Sequence, residues 1–446
     1  MRHWILRQRW LILSLSVSAC TYAGLVYDAY RYTPAERHLR KAGIALSMEE
    51  LTARYPSEPK EDNGAFLYLQ AMERVKSPKE NDWDKLVIEG DLEYDYGQVL
   101  SDEQQATLHG YVSENQDSIN LICQAQARPF VRLPETRYEV SENDYRASSR
   151  TLARLLSCAA LDAALRGDPG TLDKDIAAGL RLPELLAEGG VILDSLTLWS
   201  MCSIGLKSIE NVLYYVHPPK HSLSNWLEIL GQELYTTLRV QREALKNDTT
   251  YTYQGYTFEG PIFDSMDFGY WQATASRAMV EWTQVSYFGQ NAYVQLMTAT
   301  ADAAGRDFYE TVTWSAKEHV DERWEWNKRN FFPWLFYLDF YRVNIAYVHK
   351  IAQAATARTA LASLLYLEDH GKMPNQVEDL TPDYLPVPPR DPFTPDGILH
   401  YRLTDTQAVF YSIGPNGRDD GGTEPEGSYL ESGDIIFRVP VAKPAT

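Results

Sequence analysis

The sequence predicts a mainly α-helical protein in three parts: a membrane anchor over 1–27, an irregular α-helical hairpin array over 28–344, and a small α+β module with a short antiparallel sheet over 345–446. Three observations predict this. An uncharged run follows a basic N-terminus. Apolar residues then recur at helical spacing, with short polar breaks between segments. After His370 the chain turns abruptly to prolines and short runs of strand-forming residues. Of 446 residues, 44% are apolar, enough to bury a sizeable core, which excludes a disordered chain and a disulfide miniprotein. A net charge of -19 excludes nucleic acid as the main partner, because phosphate binding needs a basic surface.

The N-terminal segment carries Arg2, Arg7 and Arg9, then eighteen residues without a formal charge from Trp10 to Tyr27. A helix of that length covers about 27 Å, near the hydrocarbon thickness of a bilayer. Basic flanks stay cytoplasmic, so the bulk of the chain is expected in the periplasm, anchored to the inner membrane of a bacterial envelope. The alternative is a signal peptide ending at Val17-Ser18-Ala19-Cys20, which resembles a bacterial lipobox with Cys20 as the lipidated residue. Both readings give the protein a membrane contact and an envelope location. Cys123, Cys158 and Cys202 lie on helix-like segments without a CxxC pair, which argues against zinc.

In the body, Pro34 opens one helix after Thr33, Asn63 caps a second, and Ser101-Asp-Glu-Gln104 reads as a capping box for a third. Leu152, Leu155, Leu156, Ala159 and Ala163 share one helical face, and Gly167-Asp168-Pro169-Gly170 ends that helix. Leu172, Ile176 and Leu180 mark the next. Gly189-Gly190 breaks the chain before a helix through Trp199 and Leu206, which His217-Pro218-Pro219 ends. Ser222 or Ser224 is expected to cap the helix after it. Short turns between successive helices make antiparallel hairpins, without a strict 34-residue repeat signature. Residues 247–270 read as a long Tyr-, Phe- and Gly-rich loop, and 271–343 as aromatic-rich helix.

A long helix is expected from Ile345 to His370, with Gly371 at its C′ position. Prolines 382, 386, 388, 389 and 392 then impose an extended or turning chain. Strands are expected at Ile398–Leu403, Ala408–Ile413 and Asp434–Val439, the last two flanking the turn-rich Gly414-Pro-Asn-Gly-Arg-Asp-Asp-Gly-Gly422.

The order of this helix with His370-Gly-Lys-Met-Pro374, Asp391-Pro-Phe393, Tyr411-Ser-Ile-Gly-Pro-Asn-Gly417, Asp419-Asp-Gly-Gly422 and Asp434 resembles the C-terminal half of the major pseudopilin of type II secretion systems. It is also similar to pseudopilin-like tails on large envelope proteins of planctomycete-type bacteria. The match covers about 345–440. The resemblance implies calcium binding in the loop before the last strand, and it points to Asn416, Asp419, Asp420 and Asp434 as ligands. The chemistry agrees: from Thr404 to Asp434 there are seven acids and one base, and calcium takes hard oxygen ligands. Asn416 stands where the family usually has Asp. The pseudopilin cleavage motif does not occur near residue 1, so a folded cap or docking unit is expected rather than a filament subunit.

No G-x-S-x-G, HExxH, Walker or dinucleotide-binding glycine motif occurs. His319-Val-Asp-Glu322 reads as exposed helical charge pairing, and His217 and His221 as loop histidines. The leading functional expectation is a non-catalytic, membrane-anchored envelope scaffold that binds protein partners and ends in a calcium-stabilised module. The alternative is an envelope hydrolase acting on glycans, with a carboxylate pair in a cleft lined by several of Trp271, Trp282, Trp314, Trp324 and Trp326.

Overall fold

The computed structural model describes residues 40, 43–45, 48–54, 60–78, 86, 99–133, 143–187, 192–232, 340–395, 397–423 and 433–441. In chain order the helices are α1 (Met48–Thr52), α2 (Ala65–Arg74), α3 (Asp102–Glu114), α4 (Gln116–Gln126), α5 (Asn143–Leu165), α6 (Pro169–Arg181) and α7 (Ile192–Tyr215). After them come α8 (220–232) and α9 (Phe340–His370). A three-stranded antiparallel sheet follows, β1 (His400–Leu403), β2 (Gln407–Ser412) and β3 (Ile435–Pro440), in the order β1-β2-β3. The protein is thus mostly helical, with its small sheet near the C-terminus. Among the described residues no helix is long and apolar enough to cross a membrane; the run 10–27 lies outside them.

Local chemistry sets the helix ends. Ser101 accepts from the Gln104 amide at 3.3 Å while the Gln104 side chain accepts from the Ser101 amide at 2.9 Å, a reciprocal cap worth about 1 kcal/mol. Asn63 works one residue earlier than expected, since Gly64 is the N-cap of α2. The Asn63 carboxamide instead accepts from Ala65 and Arg132 amides and donates to the Arg132 carbonyl, tying α2 to the segment after α4. Between α5 and α6, Gly167 adopts φ 66°, a conformation that costs glycine little. The next residue, Asp168, caps α6 through the Thr171 amide at 3.1 Å, with Pro169 in the first turn. The start of α8 corrects the sequence reading. Helix begins at residue 220, directly after Pro218-Pro219, and the Ser222 amide already bonds the Pro219 carbonyl at 2.9 Å. His221 therefore sits in a helical first turn, not in a loop.

Among the helices, α5 packs against both α6 and α7. One core cluster includes Tyr68, Leu108, Ile122, Leu155, Trp199 and Tyr347. A second joins Ile176, Leu213, Trp226 and Leu361 to Phe410 and Phe437 of the sheet. Helix α9 runs through both, touching α7 with one stretch and β2 and β3 with another. Its small residues Ala352, Ala357, Thr359, Ala360 and Ala362 are buried, which lets neighbouring backbone approach closely.

Strand β3 alternates as a strand with one dry face should: Ile435, Phe437 and Val439 are buried and the residues between them half-buried. Strand β2 is central and buried from Ala408 to Ser412. Ala408 and Phe410 belong to the core shared with α9. Val409 and Tyr411 point to the opposite face, where the backbone of Gly422 lies so close that an added Cβ would stand 3.0 Å from the Tyr411 ring. A buried ion pair fastens the sheet to the helices: the Glu210 carboxylate of α7 accepts from the Arg438 amide at 2.9 Å, from Arg438 Nε at 3.0 Å and from Lys207 Nζ at 2.6 Å.

Candidate functional site

The loop between β2 and β3 is organised by two buried carboxylates. Asp434, 2% exposed, accepts from the Asp420 amide at 3.2 Å and from the Gly422 amide at 2.6 Å. Burial raises its carboxyl above the ordinary carboxylate value, the two amides oppose that, and the Asp419 and Asp420 charges add to it. Asp391, also 2% exposed, accepts from the Ser412 hydroxyl at 2.7 Å and from the amides of Phe393 and Ile413, each at 2.9 Å. Asp391 thus ties the proline-rich segment to the end of β2. Sequence reasoning missed this role, although an aspartate directly before a proline is a turn signal that could have raised it.

The ends of the loop cross at Gly414, with φ 65° and so little room that a Cβ would stand 2.3 Å from the Gly433 carbonyl oxygen. Beyond that crossing, the other predicted ligands are more exposed. Asp419 accepts from the Gly421 amide at 2.9 Å and lies 3.3 Å from His400 Nδ1 on β1. It also bonds the Tyr411 hydroxyl, whose pKa is pushed up to about 12 by burial first and by the Asp419 charge second. Asp420 accepts from the Asn416 carboxamide at 2.8 Å, and Asn416 Oδ1 accepts from the Arg418 amide at 3.0 Å.

The four predicted residues are therefore in one loop, where Asp420 joins Asn416 to Asp434, but the linkage is of a particular kind. Asp434 holds backbone amides, and Asn416 turns N–H donors, not its oxygen, toward Asp420. Among the described residues no three His, Cys, Asp or Glu side chains converge as a metal ion would require. In this arrangement Asn416, Asp419, Asp420 and Asp434 build an acidic rim on a hydrogen-bonded base. Glu424, Glu426 and Glu431 lie outside the described residues, as do Cys20, the five candidate cleft tryptophans and His319–Glu322.

The remaining sequence candidates are accounted for structurally. His217 Nε2 lies 2.5 Å from Glu368 near the end of α9. Cys123, Cys158 and Cys202 are not joined in a disulfide among the described residues, and burial pushes the Cys158 thiol up to about 12. No protein-family model, curated protein or solved structure matches the chain.

Proposed function

We propose that this chain is a non-catalytic protein of the bacterial cell envelope, held to the membrane by its N-terminal segment, whose helical hairpins scaffold protein partners. The observation that carries the reading is the way the C-terminal sheet is built into the helical body. Helix α9 serves both cores, and the Glu210–Arg438 pair rivets β3 to α7. The exposed acids Asp419 and Asp420 are thereby presented from a fixed position, which suits recognition. The long helix followed by three antiparallel strands supports reading this end as pseudopilin-like.

The expectation is tested by affinity purification of the tagged chain from detergent-solubilised membranes. A reproducible protein partner, lost when Asp419 and Asp420 are both changed to Asn, is the expected result. Recovery of the chain from the soluble fraction, without partners, overturns the reading.

Calcium belongs to the same proposal as a stabiliser of the loop, supported by its acidic composition and by the resemblance. Thermal melting of the full chain with and without millimolar calcium decides it. A rise in Tm that Asp419→Asn removes supports the ion. An unchanged Tm removes calcium from the account and leaves the scaffold untouched.

A further inference from the structure

A cavity of about 810 Å³ opens where α8, α9 and the turn at Tyr384 meet, within the size range of small-molecule sites. Its apolar lining includes Leu227 and Leu365, and Arg358 of α9 supplies a cation. A second cavity of about 340 Å³, under the proline-rich segment, shares Arg358 as a lining residue.

The state of that arginine is unusual. Its Nε is sealed from solvent and has no hydrogen-bond partner. Among the described residues it makes no ion pair, and burial alone lowers its pKa. The nearby acids are otherwise engaged or lie at the rim. Asp369 is held by Lys220 at 2.5 Å and by the Tyr384 hydroxyl at 2.8 Å. Glu228 is exposed, accepting from Gln232 at 3.4 Å. Arg358 as a whole is half-buried, and its terminal N–H groups could donate in parallel to a carboxylate in the cavity. Gly231 of α8 faces the guanidinium, and a Cβ there would lie 3.6 Å from Nη2.

We propose that this cavity binds an organic monocarboxylate, its carboxylate on Arg358 and its apolar part against Leu227 and Leu365. Lys220 is held by Asp369, so Arg358 is the lining cation left to meet one negative charge. A phosphate dianion would carry surplus charge past the exposed Glu228 and Asp383 at the rim. The leucines favour a hydrocarbon portion over a bare inorganic ion.

The test is isothermal titration of the full chain with hexanoate as the probe, and with inorganic phosphate and hexylamine as comparisons. Saturable hexanoate binding is expected, weakened about tenfold or more by Arg358→Leu, with neither comparison binding. Should Arg358→Leu fail to fold, Gly231→Asp decides the matter. Its own carboxylate would pair with Arg358, so Tm should rise and hexanoate binding should disappear. Absence of saturable hexanoate binding, tighter binding of phosphate, or binding unchanged in Gly231→Asp would each overturn the proposal.

Discussion

Asp175 shows how a single buried carboxyl can shape the response to pH. It sits on α6, 4% exposed, and its pKa is raised to about 7, chiefly by burial. Arg166 and Lys174 oppose the rise, and Asp162 and Asp168 reinforce it. In the unfolded chain the group titrates near 4. The folded state therefore binds the extra proton between those values, so this group's contribution makes stability fall as pH rises from about 4 to about 7 and level off above. Asp175→Asn should remove that slope and stabilise the protein at pH 8, by at most about 4 kcal/mol. Parallel pH profiles of wild type and variant in urea unfolding would refute this. At Gly414, both the positive φ and the 2.3 Å approach to Gly433 forbid a side chain. Gly414→Ala should cost about 2 kcal/mol or more by the same measurement.

Between elements, the decisive contact is the one that joins α7 to β3. Glu210 is 3% exposed, so Glu210→Ala withdraws an acceptor from the Arg438 amide and guanidinium inside the protein. A loss of roughly 3 kcal/mol is expected, as for other broken buried pairs. Limited proteolysis should then cut between α9 and β1 sooner than in wild type; unchanged stability and cleavage would show that α9 alone holds the sheet. Nothing in the sequence pairs residues 228 positions apart, which is why this contact was illegible there. What was legible is local. The Ser101–Gln104 cap, the Gly371 end of α9 and the three strands, each within one or two residues of the expected bounds, follow from side chains acting on their own neighbourhood. The start of α8 was misread because Ser222 looks like a cap, whereas Pro218-Pro219 already supplies the entry to the helix. Of the acidic site, the sequence showed which residues share a loop, but not that Asp434 spends its oxygens on amides. Arg358, in turn, looks like any helical surface charge until α8 and the Tyr384 turn close around it.

For the molecule as a whole, the helical hairpins, the shared helix α9 and the riveted sheet make one framework that ends in an acidic rim. Mainly helical architecture with a terminal antiparallel sheet follows from the change of residue pattern after His370. The proposed envelope location and partner-binding role rest on the charged and apolar pattern of the N-terminus and on the presentation of Asp419 and Asp420. The most direct measurement is the native size of the tagged full chain extracted from membranes in mild detergent. Migration well above the size of one detergent-bound chain, with a second protein in fixed ratio, is the predicted result. A single chain without a companion, in an extract that keeps other membrane complexes intact, would contradict the account.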